Sequence, residues 1–457
     1  MAIALNDRLR SVLGGIAPRL SSVTPPAAAE ASGAGRRSEP PRLNGWRVAD
    51  VLGGQWIESA HGAVLVVDRH YAADRHHGRT RIGEVLDTIE GGLDALHALG
   101  RAWPGREPQP YSTRLCFFDL ETTGLAGGAG TQAFLVGCAW PEDGGLHVRQ
   151  FLLPGFEHER ALLTMLSEWR RSDDTLVTFN GRTFDLPLIE TRYLFHRLPF
   201  HLGDLPHLDM LHPSRRLWKQ RPTIAGPPLD DDSCRLSVLE RHLAGYHRVG
   251  DVPGFEIPSR YFRFVREGDA HPLEAVLEHN RIDLISLALV TARAVALIGD
   301  GPRATSHPRE ALGLGRVYDL AEMSENAEAS YAHAAAVSAQ VGREPDVRGE
   351  ALRRLALSRR RAGRQREAAA AWEELLTVPG CPAMLRREAR EALAIHHEHR
   401  SRDLDSARSL VMDVLSDGVT PRTREAAEYR LRRIERKIAG RPVQTQGGLM
   451  AALEDVS

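Results

Sequence analysis

A chain of 457 residues is long enough for two or three domains with sizeable cores, and 42% hydrophobic with 26% charged residues is an ordinary globular balance. A net charge of −1 leaves no global basic footprint, which argues against tight binding of long nucleic-acid tracts but not against local contacts. Cys116, Cys138, Cys234 and Cys381 form no Cys-x-x-Cys, no apolar run approaches the ~20 residues of a membrane span, and Asp7, Arg8 and Arg10 replace a signal-peptide core, so the expectation is a cytoplasmic protein with free thiols and no membrane contact.

In chain order, Leu5, Leu9, Val12, Leu13, Ile16 and Leu20 recur at helical spacing, predicting an amphipathic helix over residues 2–20 that docks on the body. Residues 21–42, rich in Pro, Ala, Ser and Gly, predict a flexible linker. Residues 43–110 predict a small β-rich region, with a strand at Ala63-Val64-Leu65-Val66-Val67, then a helix near Ile82–Leu99. His70, His76 and His77 stand close together there. They lack a fixed ligand spacing, so a solvated loop is preferred to a metal site.

Strands are expected next at 114–121, 132–140 and 146–153, with a turn through Pro141, Asp143, Gly144 and Gly145. The first carries Asp119 and Glu121 after the apolar run Leu115 to Phe118. Side chains alternate along a strand, so both acids point to one face. A divalent cation between them would relieve their repulsion; the alternative is a strand end whose acids cap the next turn. Thr122, Thr123 and Gly124 leave space and backbone N–H groups beside the pair.

A helix over 157–171, a strand over 175–179 and a helix over 186–196 follow. Asn180-Gly181 marks a turn and Pro187 suits a first helical turn, so Asp185 stands where a helix leaves a buried strand, as a functional acid or as an N-cap. A strand over 207–211 carries Asp209, either a support for the other acids or a cap. Residues 213–233, with Arg215, Arg216, Lys219, Arg221 and Asp230-Asp231-Asp232, predict a mobile loop over the site whose basic half could touch phosphates. Val276, Leu277, Leu284, Leu287 and Leu289 predict a long helix. His279 and Asp283, four apart, share one face of it, as site residues or as a surface pair.

From about residue 305 the strand signals end. Glu-Ala-Leu recurs at 310–312, 350–352 and 391–393, a period of about forty residues that predicts stacked helical pairs over 305–440. Gly363 marks the turn inside the middle pair. Such a stack can bind a protein partner in a groove or simply stabilise the body. Arg353, Arg354, Arg359, Arg360, Arg361, Arg364 and Arg366 could contact nucleic acid, though a solvated helix face is the commoner outcome. Residues 441–457 predict a flexible tail.

Together the acids form a pattern. The sequence resembles the DEDD-type 3′→5′ exonucleases of the RNase H-like superfamily over roughly residues 111–297. Asp119 and Glu121 match the first motif, Asp185 the second and Asp283 the third. It is most similar to bacterial proteins of the YprB type, which join such a domain to tetratricopeptide-like helices. Gly128-Ala129-Gly130-Thr131, Phe134-Leu135-Val136-Gly137, His207 to His212 and Glu256 to Tyr261 share in that resemblance.

The resemblance implies an α/β fold, a mixed five-stranded sheet flanked by helices over 111–300, followed by an all-α helical-repeat domain. It also implies two Mg²⁺ or Mn²⁺ ions roughly 4 Å apart that assist hydrolysis of a phosphodiester. Asp119 would bridge the ions, Glu121 and Asp283 would hold the ion that carries the attacking water, and Asp185 would complete the second ion's shell. His279 would be the general base, work that suits an imidazole. One branch of the family places His five residues before the last Asp, and the other places Tyr four before it; this chain has the histidine at the tyrosine's spacing. Thr122, Thr123, Gly124, Leu125 and Asn180 would bind the terminal nucleotide, with Leu125 wedged against the last base. The expected substrate is a single-stranded DNA or RNA end. The alternatives are an endonuclease of the same fold and a non-catalytic nucleic-acid-binding scaffold whose helical repeats recruit a partner.

Overall fold

The computed structural model describes residues 45–101, 109–124, 130–169, 173–219, 234–342, 344–417 and 420–440. The expected N-terminal helix, linker and C-terminal tail lie outside the described residues, as does Leu125.

Helix α1 (Gly45–Leu52) precedes a hairpin of β1 (Gln55–Ser59) and β2 (Gly62–Ala72). Two short strands, β3 (His76–His77) and β4 (Thr80–Arg81), lead into α2 (Ile82–Glu90) and α3 (Leu93–Arg101). The single helix expected over 82–99 is thus two, divided at Gly91-Gly92, where missing side chains favour a break. Next come β5 (Leu115–Thr122), β6 (Ala133–Glu142), β7 (Gly145–Leu152), α4 (Glu159–Trp169), β8 (Thr175–Thr178), α5 (Asp185–Phe195), β9 (His207–Asp209) and α6 (Leu211–Leu217).

These strands make one mixed sheet of order β1-β2-β7-β6-β5-β8-β9. All neighbours are antiparallel except β5–β8 and β8–β9, which are parallel. Seven strands replace the five expected. The two additional ones come from the region read as separate: β2 pairs with β7 from Leu65↔Leu152 to Ala72↔Gly145 and extends the sheet. Pairing covers an edge that would otherwise present free backbone groups.

Both faces of β5 are buried, so its apolar residues run continuously rather than alternating with polar ones. Leu115 and Phe117 join one core with α2, α3 and the second half of a long helix. Cys116, Phe118 and Leu120 join a second core with α4 and α5. Helices α7 (Leu236–Ala244) and α8 (Ile257–Glu267) precede that long helix, α9 (His271–Asp300), of 30 residues. Its Leu273, Val276 and Leu277 lie in the second core, and Leu284 to Ile298 lie in the first. It therefore crosses between them, and His279 to Asp283 sit at the crossing.

Helix α9 corrects the expectation that no apolar run reaches the length of a membrane span. By length and composition it could cross one, but 78% of its apolar window is buried inside the protein. Protein packing on several sides gives it the same all-round apolarity that lipid would.

Among the described residues seven α-helices follow: α10 (Pro308–Leu320), α11 (Ser324–Val341), α12 (Pro345–Arg361), α13 (Gln365–Leu376), α14 (Ala383–His396), α15 (Leu404–Ser416) and α16 (Pro421–Ala439). Each packs on the next. Gly363 turns the chain between α12 and α13 at φ +78°, a left-handed conformation that favours glycine. The first core continues from the sheet through Leu312, Tyr331, Leu352 and Trp372, so composition changes near residue 305 without a break in the core. The arginines of α12 and of the turn after it are largely spent on ion pairs: Arg353 with Glu388, Arg354 with Glu350, Arg359 and Arg364 with Glu328, Arg361 with Asp319.

Candidate active site

Strand β5 outlasts its neighbour β8, whose pairing stops at Phe117↔Val177. Asp119 and Glu121 lie on the overhang, and the register with β6 shifts between Glu121 and Thr122. The overhang also leaves the Leu120 amide free of β8, and that N–H binds the Asp185 carboxylate. Asp185 is the first residue of α5, with Phe184 in the cap position, so the capping alternative does not hold. Asp283 reaches the same place from α9.

Electrostatics record the convergence. Burial, then the charges of Asp283 and Asp185, hold the Asp119 carboxyl well above the usual carboxylate range. Burial and then Asp119, Asp283 and Asp185 do the same to Glu121. Asp185 is pushed up to about 7, chiefly by burial. Such a cluster of acids resists ionisation unless cations arrive. Among the described residues, no three His, Cys, Asp or Glu side chains are already drawn around one point as ion ligands. The donor set fits a hard divalent cation in chemistry and charge, but its members are not preassembled.

Asp119 and Asp185 each have a support. Asn280, fully buried, donates from Nδ2 to Asp119 Oδ2 at 2.8 Å. Gln150 Nε2 in turn donates to Asn280 Oδ1 and to the Leu277 carbonyl, both at 2.8 Å. Gly137, opposite Asp119 in β6, makes room: a Cβ there would lie 2.2 Å from Asn280 Oδ1. Asp209 is 3% exposed and accepts from the amides of Asn180 at 2.8 Å, Leu211 at 3.1 Å and Arg182 at 3.1 Å. It therefore caps and also braces the turn that delivers Asp185, where Asn180 stands at φ +71°.

His279 and Asp283 do share a helix face, with Nε2 3.5 Å from Asp283 Oδ2. A second carboxylate holds the other ring nitrogen: Nδ1 lies 2.6 Å from Asp251 Oδ1. Arg248 joins the group, with its guanidinium 3.2 Å from Asp251 Oδ2, 2.5 Å from Asp283 Oδ1 and 2.6 Å from Glu240 Oε1. Burial opposes the charge of Arg248, but Glu240 and Asp283 outweigh it and raise its pKa. Behind Glu240, Ser286 donates to that carboxylate and lies 2.9 Å from His77 Nε2. His77 is thus not in a solvated loop. It is buried, stacks on Tyr246 at 3.9 Å, and burial lowers its pKa to about 4. Helix α6 likewise replaces the first part of the mobile loop expected over 213–233; residues 220–233 lie outside the described residues.

Beside the acids, the Thr122 hydroxyl donates to the Gly124 carbonyl at 2.9 Å and retains its acceptor lone pairs. Thr123 is tied to Gln132 in both directions, through its amide and its hydroxyl. Phe184 next to Asp185 is 55% exposed. Asn280, Asp251 and Arg248 were not singled out from sequence. A buried Asn within an apolar helix is a readable signal for the first. Asp251 stands 28 residues before His279 in a loop, and only the fold pairs them.

The RNase H superfamily profile matches residues 116–295, which contain β5 from Cys116, the turn before α5 and α9 up to Val295. The chain is 30% identical over 382 residues to the uncharacterized protein YprB of Bacillus subtilis (strain 168), covering 82% of this chain and 86% of that protein.

Proposed function

This chain belongs to the YprB family and carries a nuclease-like domain of the RNase H superfamily, and from that premise we propose that it is a metal-dependent 3′→5′ exonuclease of single-stranded DNA or RNA ends. Domains of this superfamily are generally hydrolytic and process nucleic acids, typically with divalent metals. The observation that carries the reading is the convergence of Asp119, Glu121, Asp185 and Asp283 into one mutually repelling cluster. Four hard oxygen donors and no thiolate suit two Mg²⁺ or Mn²⁺ ions. When bound, such ions stabilise charge on the attacking and leaving oxygens.

The chain's own groups do the rest. His279, its Nδ1 fixed by Asp251, presents Nε2 toward the acids and takes the proton of the attacking water. Asn280 fixes the rotamer of Asp119, and Asp209 fixes the turn of Asp185. Thr122, Thr123, Gly124 and Leu125, with Asn180, receive the terminal nucleotide, and Thr122 accepts a hydrogen bond from the 3′-OH. Phe184 offers an exposed ring on which a base can stack. A protein partner for a tetratricopeptide-like stack, α10 to α16, and a cytoplasmic location belong to the same proposal.

One observation favours a second reading. Arg248 already pairs with Asp283, and a neutralised acid suits a scaffold that grips nucleic acid without cutting it. Incubating the purified protein with end-labelled DNA and RNA oligonucleotides, with Mn²⁺ and with EDTA, separates the readings. A metal-dependent ladder from the 3′ end, lost in Asp119→Ala and on blocking the 3′ end, is expected. Internal cuts indicate an endonuclease, and binding without cutting indicates the scaffold.

A further inference from the structure

Helix α6 leaves β9 directly, and its first amide is held by the Asp209 carboxylate that braces the Asp185 turn. At its other end the chain docks on α10. Trp218 Nε1 donates to Glu310 Oε1 at 2.7 Å, and a Cβ at Gly313 would lie 2.2 Å from the Arg216 carbonyl oxygen. Only glycine permits that approach, so the two segments meet backbone to backbone.

Along this seam runs a cleft of about 240 Å³. Its cations are Arg215, Arg216, Lys219, Arg309 and Arg316, against the carboxylates of Asp346 and Glu350, an excess of three positive charges. Arg309 is engaged by Glu344 and Asp346, and Arg316 lies 3.6 Å from Glu350. Arg215, Arg216 and Lys219 make no ion pair with any described residue. Arg216 is half-buried, and burial lowers its pKa, so the fold holds a cation where charge is costly, with no counter-ion among the described residues.

We propose that this cleft is a binding subsite for the phosphodiester backbone of single-stranded nucleic acid, several nucleotides away from the end held at the acids. The inference rests on the nuclease reading of Asp119, Glu121, Asp185 and Asp283. Two features favour a polynucleotide over an acidic peptide. Guanidinium forks match phosphate oxygens in pairs. The cleft also opens at the far end of the helix that leaves the brace of Asp185, so a strand that passes the acids can continue into it. A strand held there stays on the enzyme between successive cuts.

The test uses the full chain with Arg215 and Lys219, both exposed, changed together to Glu, and in a second variant to Gln. Fluorescence anisotropy in EDTA measures binding of labelled single-stranded oligonucleotides of about 4 and about 20 nucleotides across a salt series. The Glu variant is expected to lose at least about tenfold in affinity for the long oligonucleotide, and the slope of log K against log salt to fall by about 1.4, roughly 0.7 per lost phosphate contact. The short oligonucleotide should bind both proteins alike. Long-oligonucleotide affinity equal in wild type and both variants overturns the proposal. So does an acidic peptide, oligoglutamate, that binds wild type, fails to bind the Glu variant, and leaves oligonucleotide binding unchanged; the cleft is then a protein-docking site. Hydrolysis of the short oligonucleotide with Mn²⁺, read separately, tests the nuclease reading. A protein that binds through the cleft and cuts nothing loses that reading and keeps the subsite.

Discussion

Asp185→Asn is the sharpest perturbation of the acid cluster, because it removes one charge and keeps an oxygen to accept the Leu120 amide. In the folded protein the Asp185 carboxyl titrates at about 7, raised chiefly by burial from an ordinary 3.8. A group raised this way binds its proton more tightly when folded. Below pH 3.8 it is protonated in both states and contributes no difference. As pH rises from 3.8 to 7 the unfolded chain releases the proton first, and the fold loses stability; above 7 the loss is complete. A shift of about three units corresponds to a ceiling of about 4 kcal/mol. Asp185→Asn should therefore match wild type near pH 4 and exceed it increasingly up to pH 8, by at most that amount, in urea denaturation with EDTA. With saturating Mn²⁺ the order should narrow or invert, since an ion that binds only the folded wild type stabilises it by mass action. Equal urea midpoints for the two proteins in EDTA at pH 8 would refute the costly burial of the Asp185 charge.

Asp251→Asn should lower the single-turnover rate about 10- to 100-fold without changing metal affinity, as loss of a supporting carboxylate does elsewhere. His279→Ala should cost about 10²–10⁴-fold, and the double variant little more than His279→Ala; additive losses would deny that Asp251 acts through His279. Phe184→Ala should weaken binding of a single-stranded oligonucleotide by about 1–3 kcal/mol, read by anisotropy, while thermal stability holds because the ring is exposed. Glu398 has no exposed side chain and binds Arg430, Arg433 and Lys437. Burial opposes its charge, but Arg433, Lys437 and His399 hold its carboxyl down at about 2. Its contribution is present above pH 4.5 and lost as pH falls toward 2. Glu398→Gln should cost roughly 2 kcal/mol at pH 7 after allowance for the partly exposed partners, and nothing at pH 2, by calorimetry.

The sequence by itself determined most of the elements and singled out the acids as candidates. The apolar run before Asp119 and the Asn180-Gly181 turn placed β5 and the start of α5 within a few residues of their observed bounds, and the apolar spacing around His279 put it on a long helix. Those signals are local: strand alternation, turn stereochemistry and helical spacing depend on neighbours in the chain. The sequence also placed Asp119 and Glu121 at the end of a strand, Asp185 at the start of a helix and Asp283 on one face of a long helix. Tertiary structure alone decided what holds them. The Asp251–His279 pair spans 28 residues, and the Asn280–Asp119 bond spans 161. Arg248 could have met any acid nearby, and Gly137 reads as an unremarkable strand glycine until Asn280 fills the space its Cβ would take. The seven-strand sheet and the continuous core into α10 were hidden for the same reason. Pairing of β2 with β7 and docking of α6 on α10 are contacts across the fold, and no periodicity within either segment encodes its partner.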